Sequence, residues 1–278
     1  MKLVQVVVAC LTLTGPLFAH DMFLVVPDHD FAPGDRIEVS LYNGTFDKSE
    51  NTIDRDRMTD VTVVDGAGTV SHPRPDQWRD LGGVSVLTIE AGAPGTQVVG
   101  VSTEARIIEL PATDFNEYLE HDGVLDVLEL RRDEGTLDSA ARELYSKHVK
   151  TILQVGAEPT DAWSHRFGYP VEIVPSNSPS RICVGDELQF EVLTDGAPAA
   201  DQLFYASYDG HHGHDDEGAH REAVSGRTDA AGVGRFEITA EGRWYVRLIR
   251  MVESKAEGVD YESNWATLTF EIDCNGND

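Results

Sequence analysis

A chain of 278 residues with 41% apolar content is long enough for about two domains with buried cores, and no low-complexity run suggests disorder. Its 49 acidic residues against 22 basic ones give a formal net charge of −27. That balance excludes nucleic acid as an expected partner, because such binding needs a basic surface to displace phosphate counterions, and it suits a soluble protein that attracts cations.

The first nineteen residues have the composition of a secretion signal: Lys2 as the positive region, Leu3 to Leu13 as the apolar core, and Gly15-Pro16 as a break before Leu17-Phe18-Ala19. The apolar core is too short to span a bilayer, which takes about 20 residues. Cleavage near Ala19 and a periplasmic or secreted location are therefore expected. Val7-Val8-Ala9-Cys10 resembles a lipoprotein cleavage box and leaves lipidation at Cys10 as the alternative. Cleavage after Ala19 makes His20 the new terminus, where an α-amine and an imidazole Nδ1 form a chelating pair of the histidine-brace kind. Otherwise His20 is merely the first polar residue of a strand. Met22 occupies the third place, so the amino-terminal copper/nickel chelate that needs histidine there is absent.

Beyond the signal, Met22 to Val26 reads as a buried strand ended by Pro27, and Arg36 to Tyr42 alternates as a half-buried strand ought to, with Asn43-Gly44 as a turn. Asp54-Arg55-Asp56-Arg57 reads as a solvated ion-pair loop. Strands follow at Asp60 to Val64, Val84 to Glu90, Gln97 to Ser102 and Arg106 to Leu110, separated by Asp-Gly, Gly-Gly and Pro-Gly turns, which argues for a β-sandwich. After Pro111 the period changes. Thr113 is a plausible N-cap for a helix over Asp114 to Glu120, with Glu117 completing a capping box; a second helix runs from about Val124 to Arg132 and stops at Gly135. A third helix is predicted over Asp138 to Gln154, capped by Asp138 and closed by Gly156, with Ala141, Leu144, His148, Thr151 or Ile152, and Val155 on one side. His148 on that stripe reads as a core histidine, outside any site.

The β pattern resumes near Ala157, with candidate strands at Val171 to Val174, Glu187 to Leu193, Gln202 to Tyr208, Arg235 to Thr239, Arg243 to Met251 and Trp265 to Ile272. Asp195-Gly196 and Asp229 to Gly232 supply the side-chain cap and positive φ that their turns need. The expected fold is mainly β: a signal at 1–19, an N-terminal sandwich at 20–112, a helical connector at 113–158, and a C-terminal sandwich at 159–278 with a His-rich loop at 209–222.

That loop concentrates chemistry. Tyr208 to His220 holds His211, His212, His214 and His220, with Asp215, Asp216 and Glu217 among them and glycines that let the backbone double back. Neutral imidazole is the commonest ligand for a transition metal, and carboxylates lower the cost of holding a divalent cation. The loop therefore reads as a metal site; the plainer reading is a polar hairpin whose histidines stay wet. Cys183 and Cys274, the pair left once Cys10 departs, are either bridged or two free thiols. No G-x-S-x-G, phosphate loop or H-E-x-x-H occurs, so no enzyme is expected. Trp163, Tyr169, Trp244, Tyr245 and Trp265 could line a sugar site but sit at strand spacing as sandwich core does. An oxidative brace enzyme would need only His20 and one loop histidine.

Ordered blocks across the mature chain carry a resemblance: His20-Asp21-Met22-Phe23-Leu24, Arg106 to Pro111, Phe115 to Leu119, Tyr145 to Lys150, Leu153 to Gly156, Thr228 to Gly232, Trp244 to Leu248 and Glu262 to Phe270. Together they resemble the bacterial periplasmic domain-of-unknown-function family linked to nickel and cobalt uptake (NikM-like). The resemblance implies a transition-metal-binding accessory to transport, with His20 matching the family's first histidine and 211–220 a His-rich insertion found in part of it. Arg250 departs from the histidine seen there in many relatives. The C-terminal half is also similar to carboxypeptidase-regulatory and prealbumin-like sandwiches, so the fold class expected is two immunoglobulin/prealbumin-like sandwiches joined by a helical segment. The function expected is capture of a divalent transition metal, nickel or cobalt ahead of copper or zinc, by His20, His211, His212, His214 and His220 with Asp215 and Asp216. Its partners would be the ion and a membrane metal transporter. The alternative is a structural or adhesive sandwich module.

Overall fold

The computed structural model describes residues 20–211 and 222–274. The fold is mainly β, and its organising element is the strand Ala141–Val155. It pairs in parallel with Tyr261–Ile272, from Glu143 opposite Tyr261 to Thr151 opposite Thr269. Antiparallel partners lie along its other edge at Gly95–Thr103 and Arg106–Leu110. The third predicted helix is thus a strand, which corrects that part of the helical connector. Every residue from Ser146 to Val155 is buried, so the segment has no solvated face for an amphipathic helix to use. Val149, Thr151, Ile152 and Val155 are β-branched and fit a pleated surface. Lys147 and Lys150, which look like the polar side of a helix, are buried cations with partners; Lys150 Nζ lies 3.0 Å from Glu172 Oε1.

Around this strand a ten-stranded sheet runs in the order Val224–Arg227, Leu203–Tyr208, Gly242–Glu253, Tyr261–Ile272, Ala141–Val155, Gly95–Thr103, Met58–Val64 and Val70–Ser71, with Asp30–Phe31 and Arg106–Leu110 also pairing to the central strand. One four-stranded sheet, Asp21–Val25, Arg36–Gly44, Val84–Glu90 and Trp78–Leu81, builds the N-terminal sandwich. A second, of Val171–Pro175, Glu187–Thr194, Ala197–Pro198 and Val233–Glu237, builds the C-terminal one. The two sandwiches share the long sheet. Neighbouring residues point into different cores, as alternation requires: Val99 and Leu153 join Leu24, Ile37 and Leu41, whereas Val98 and Ile152 join Phe190, Phe204 and Trp244.

Two helices, α1 (Ala112–His121) and α2 (Leu125–Glu134), cap a third cluster in which Phe115 and Tyr118 stack on Tyr261 and Trp265. The start of α1 differs from the expected cap. Pro111 occupies the N-cap position without a side-chain bond, and Thr113 lies inside the first turn. Gly135 ends α2 at φ 69°, as its sequence position suggests. The strands expected on either side of the helices are found, most with their ends extended by one to four residues.

Other expectations are met or amended locally. Arg57 is buried and lies 4.9 Å over the Tyr145 ring, so 54–57 is not a wholly solvated loop. Cys183 and Cys274 form a disulfide between the segment after Pro179–Arg181 and the end of the last strand. Trp244, Trp265, Tyr169 and Tyr245 are buried, and Trp163 packs half-buried on the C-terminal core. His148 is a buried core histidine whose Nδ1 lies 2.9 Å from Ser102 Oγ and whose Nε2 lies 3.0 Å from Asn264 Oδ1; burial lowers its pKa.

Candidate functional site

The strand Asp21–Val25 carries His20 onto the face of the long sheet, over its central strands, and is pinned there by its backbone. The hydroxyls of Thr267 and Thr269 donate to the carbonyls of Met22 (2.7 Å) and Leu24 (2.6 Å). Its other side faces Gly242–Glu253: Phe23 packs edge-on to Tyr245 at a centroid distance of 5.1 Å, and Phe46 packs tilted against the same ring at 4.8 Å. His20 is half-buried. Its Nε2 lies 3.1 Å from Glu50 Oε2, and its carbonyl accepts from Lys147 Nζ, which also donates to Asn43 Oδ1 at 3.3 Å. A carboxylate can only accept, so in the neutral ring Nε2 carries the proton and Nδ1 bears the free lone pair.

Beneath His20 lies a network of ionisable groups. Arg247 sits 4.8 Å over the Tyr205 ring, donates through Nε to Glu222 Oε1 at 2.8 Å and through Nη1 to the Asp122 carbonyl at 3.1 Å, and approaches Asp21 Oδ2 at 3.5 Å. Burial works against its charge, but Asp21 and Glu222 outweigh that and hold its pKa above the usual value. Burial pushes Asp21 up to about 6, with Arg247 pulling the other way. Burial also brings Lys147 down to about 8, opposed mainly by Asp21. Lys147 Nζ stands 4.9 Å over the Trp265 ring, and Glu143 nearby accepts from Tyr118 and Ser263 while burial raises its pKa. His121, 2.9 Å from Asp122 Oδ1, is held above its usual pKa by that bond.

The described residues that flank the His-rich loop lie next to this network. Asp209 donates its N–H to the Arg243 carbonyl at 2.8 Å and pairs through its carboxylate with the Arg243 side chain; on the return, Ala223 N–H donates to Ser207 Oγ at 3.4 Å. His211 packs its ring 5.3 Å from that of Tyr208, against the C-terminal core. His212, His214, His220, Asp215 and Asp216 lie outside the described residues. One guanidinium, that of Arg247, therefore joins the residue after His20 to the residue that closes the loop, Glu222. Among the described residues no three His, Cys, Asp or Glu side chains are grouped so as to hold a metal ion.

Sequence reasoning missed Arg247, Asp21 and Lys147. Only Arg247 left a signal: it interrupts the apolar strand Trp244 to Ile249, and a charge buried in such a run is almost never without a partner. Arg250, the departure from relatives, is half-buried and donates to Gln202 Oε1 at 3.4 Å. A separate groove of about 580 Å³ beside Trp78 is lined by Arg36 and Arg79, whose guanidiniums are already engaged by Glu38.

The arrangement defines a mainly β protein of two sandwiches fused through one sheet, with an ionisable network under its first strand. The chain belongs to the family described as a domain of unknown function, DUF4198, which matches residues 17–251. A comparison with curated proteins finds no match. Similar solved structures include the D0-D1 domain of Intimin, at 11% identity and TM-score 0.21, covering 91% of this chain and 98% of that one. Trypsin-activated alpha-2-macroglobulin from Escherichia coli is similar at 12% identity and TM-score 0.24, covering 93% of this chain and 16% of that one. FdeC, an Escherichia coli adhesin, is similar at 15% identity and TM-score 0.23, covering 89% and 64%. At those scores the fold rests on the strand pairings above.

Proposed function

We propose that this is an exported, non-catalytic protein that captures a divalent transition metal through His20 as a free amino terminus and through the histidines of the 209–222 loop. The observation that carries the reading is the contact between His20 Nε2 and Glu50. A carboxylate on the outer nitrogen is the usual support for a metal-binding imidazole, and it leaves Nδ1, the nitrogen that chelates together with a terminal α-amine, as the donor. The shared hold of Arg247 on Asp21 and Glu222 supports the two halves of the site acting together. The Cys183–Cys274 disulfide suits an oxidising compartment.

His212, His214 and His220, with Asp215 and Asp216, would complete the donor set, and His211 would guide the ion at the loop's foot. Nickel or cobalt is the cargo favoured by the family resemblance, with delivery to a membrane transporter. Nitrogen and oxygen donors alone favour copper over nickel and zinc. Calorimetric titration of the protein beginning at His20 with nickel, cobalt, zinc and copper tests the reading against the same protein carrying Ala19. Saturable binding weakened at least about tenfold by the extra residue, a difference of about 1.4 kcal/mol, is expected. Equal affinity removes the terminal amine from the site, and no retained ion leaves a structural module.

A further inference from the structure

Seven residues along the central strand from Lys147, about 23 Å at strand rise, lies a second polar concavity that the metal reading does not use. It is a cavity of about 510 Å³ where Asp30–Phe31, the end of Ala141–Val155 and the end of Tyr261–Ile272 meet the Pro179–Arg181 turn. Its frame is fixed by backbone bonds: Gln154 N–H donates to the His29 carbonyl and Gly156 N–H to the Phe31 carbonyl, each at 2.7 Å.

The lining has one electrical sign. Asp30, Glu271 and Asp273 border it, and among the described residues no lysine or arginine does. Burial raises the Asp30 pKa, and the charges of Glu271, Asp273 and Asp28 push it the same way, as expected of acids converging on one space. Among the described residues, two polar side chains behind them are more than nine-tenths buried and incompletely bonded. Gln154 gives its Nε2 to the Gly156 carbonyl at 2.9 Å, yet its Oε1 accepts nothing. His29 has no hydrogen bond at either ring nitrogen, although Nδ1 stands 3.5 Å from Glu271 Oε2. A buried acceptor left without a donor costs about 1–3 kcal/mol, so Gln154 Oε1 points to a ligand that supplies N–H bonds, while a neutral His29 ring leaves one donor and one acceptor to satisfy. Phe31, Pro33 and Pro159 add half-buried or exposed apolar walls, with an aromatic face that a cation can approach.

From this cavity of unpartnered acceptors and converging carboxylates we infer that the protein has a second binding site, for an organic cation bearing a guanidinium or primary ammonium group. Several N–H donors on one positive head satisfy Gln154 Oε1, Glu271 and Asp30 together, and the aliphatic remainder lies along Phe31 and the prolines. A bare metal ion fits poorly. It needs donors within about 2.0–2.6 Å, and among the described residues no three acid, histidine or cysteine side chains are grouped in that way. The volume lies in the range of small-molecule sites, about 300–1,000 Å³. The cation is either a free amine or a lysine or arginine side chain presented by a peptide; the recognising chemistry is the same.

Titration of the full chain with agmatine, followed by amide chemical shifts and calorimetry, tests the site. Saturable binding is expected, with shifts centred on 29–33, 154–157 and 271–273, and with affinity roughly tenfold weaker in Asp30→Asn and in Glu271→Gln, the loss of one charge-assisted bond each. Gln154→Leu, which keeps the charge, weakens it as well; should one variant fail to fold, the other two decide. Removal of residues 212–220 leaves agmatine binding unchanged, which separates this site from the metal reading. The tripeptide Gly-Arg-Gly, run in parallel, tells a side-chain guest from a free amine by which binds tighter. No saturation below about 10 mM, a binding free energy weaker than about −2.7 kcal/mol, overturns the site. So does binding that the charge variants leave within twofold, or displacement of agmatine by stoichiometric calcium or nickel.

Discussion

Arg247 is the residue whose loss the structure tolerates least. It is nearly buried, and it is the cation that both Asp21 and Glu222 face. Arg247→Met keeps the bulk and strands two carboxylates beneath the first strand, so a loss of about 3–5 kcal/mol is expected, read from the denaturant midpoint. A loss under about 1 kcal/mol would mean that water already screens the cluster. Asp21 carries a pH signature of its own. Its folded pKa of about 6 lies above the ordinary 3.8, so its contribution to stability is complete below about 3.8 and is lost as pH rises through about 6. The wild-type protein should therefore gain in melting temperature over Asp21→Asn between pH 7 and pH 4; a constant difference contradicts the burial of that carboxyl. At this scale the sequence was legible at His148, which is the buried core histidine its apolar surroundings suggest. It was opaque at Asp21 and Lys147, whose roles depend on neighbours more than a hundred residues away in the chain, such as Lys147 beneath His20.

At the scale of elements, the strands and both short helices follow from alternation, turn residues and the stop at Gly135. The segment Ala141–Val155 does not, and the reason is physical. A strand buried on both faces has no period of its own, and two lysines spaced three apart imitate the wet side of a helix until their partners, Glu172 among them, are known. The His-rich loop stands out in composition, but of its expected donors only His211 lies within the described residues, so its geometry adds little to what the sequence suggests. The disulfide was one of two open readings. It closes a separation of 91 residues, and the joint substitution of Cys183 and Cys274 by serine should cost about 4–5 kcal/mol on the chain-entropy account. A change below about 1 kcal/mol in the urea midpoint would show that the neighbouring Tyr261–Ile272 strand holds that end unaided.

For the whole molecule, a sheet common to both sandwiches makes folding one event. The parallel pairing of Ala141–Val155 with Tyr261–Ile272 crosses any cut between 158 and 159, so pieces 20–158 and 159–274 each lose a central neighbour and are expected not to melt cooperatively alone. A sharp transition in either piece contradicts that. On this single body the proposed metal site takes one donor group from the first strand and another from a loop near the end, so the two should depend on each other. The decisive measurement is a nickel titration of four proteins beginning at residue 20: the unaltered chain, His20→Ala, a deletion of 212–220, and both changes together. One ion per chain is expected, with each single change weakening binding at least about tenfold and the double change no weaker than the worse single one, the mark of one shared site. Strictly additive losses, or affinity untouched by His20→Ala, would contradict it.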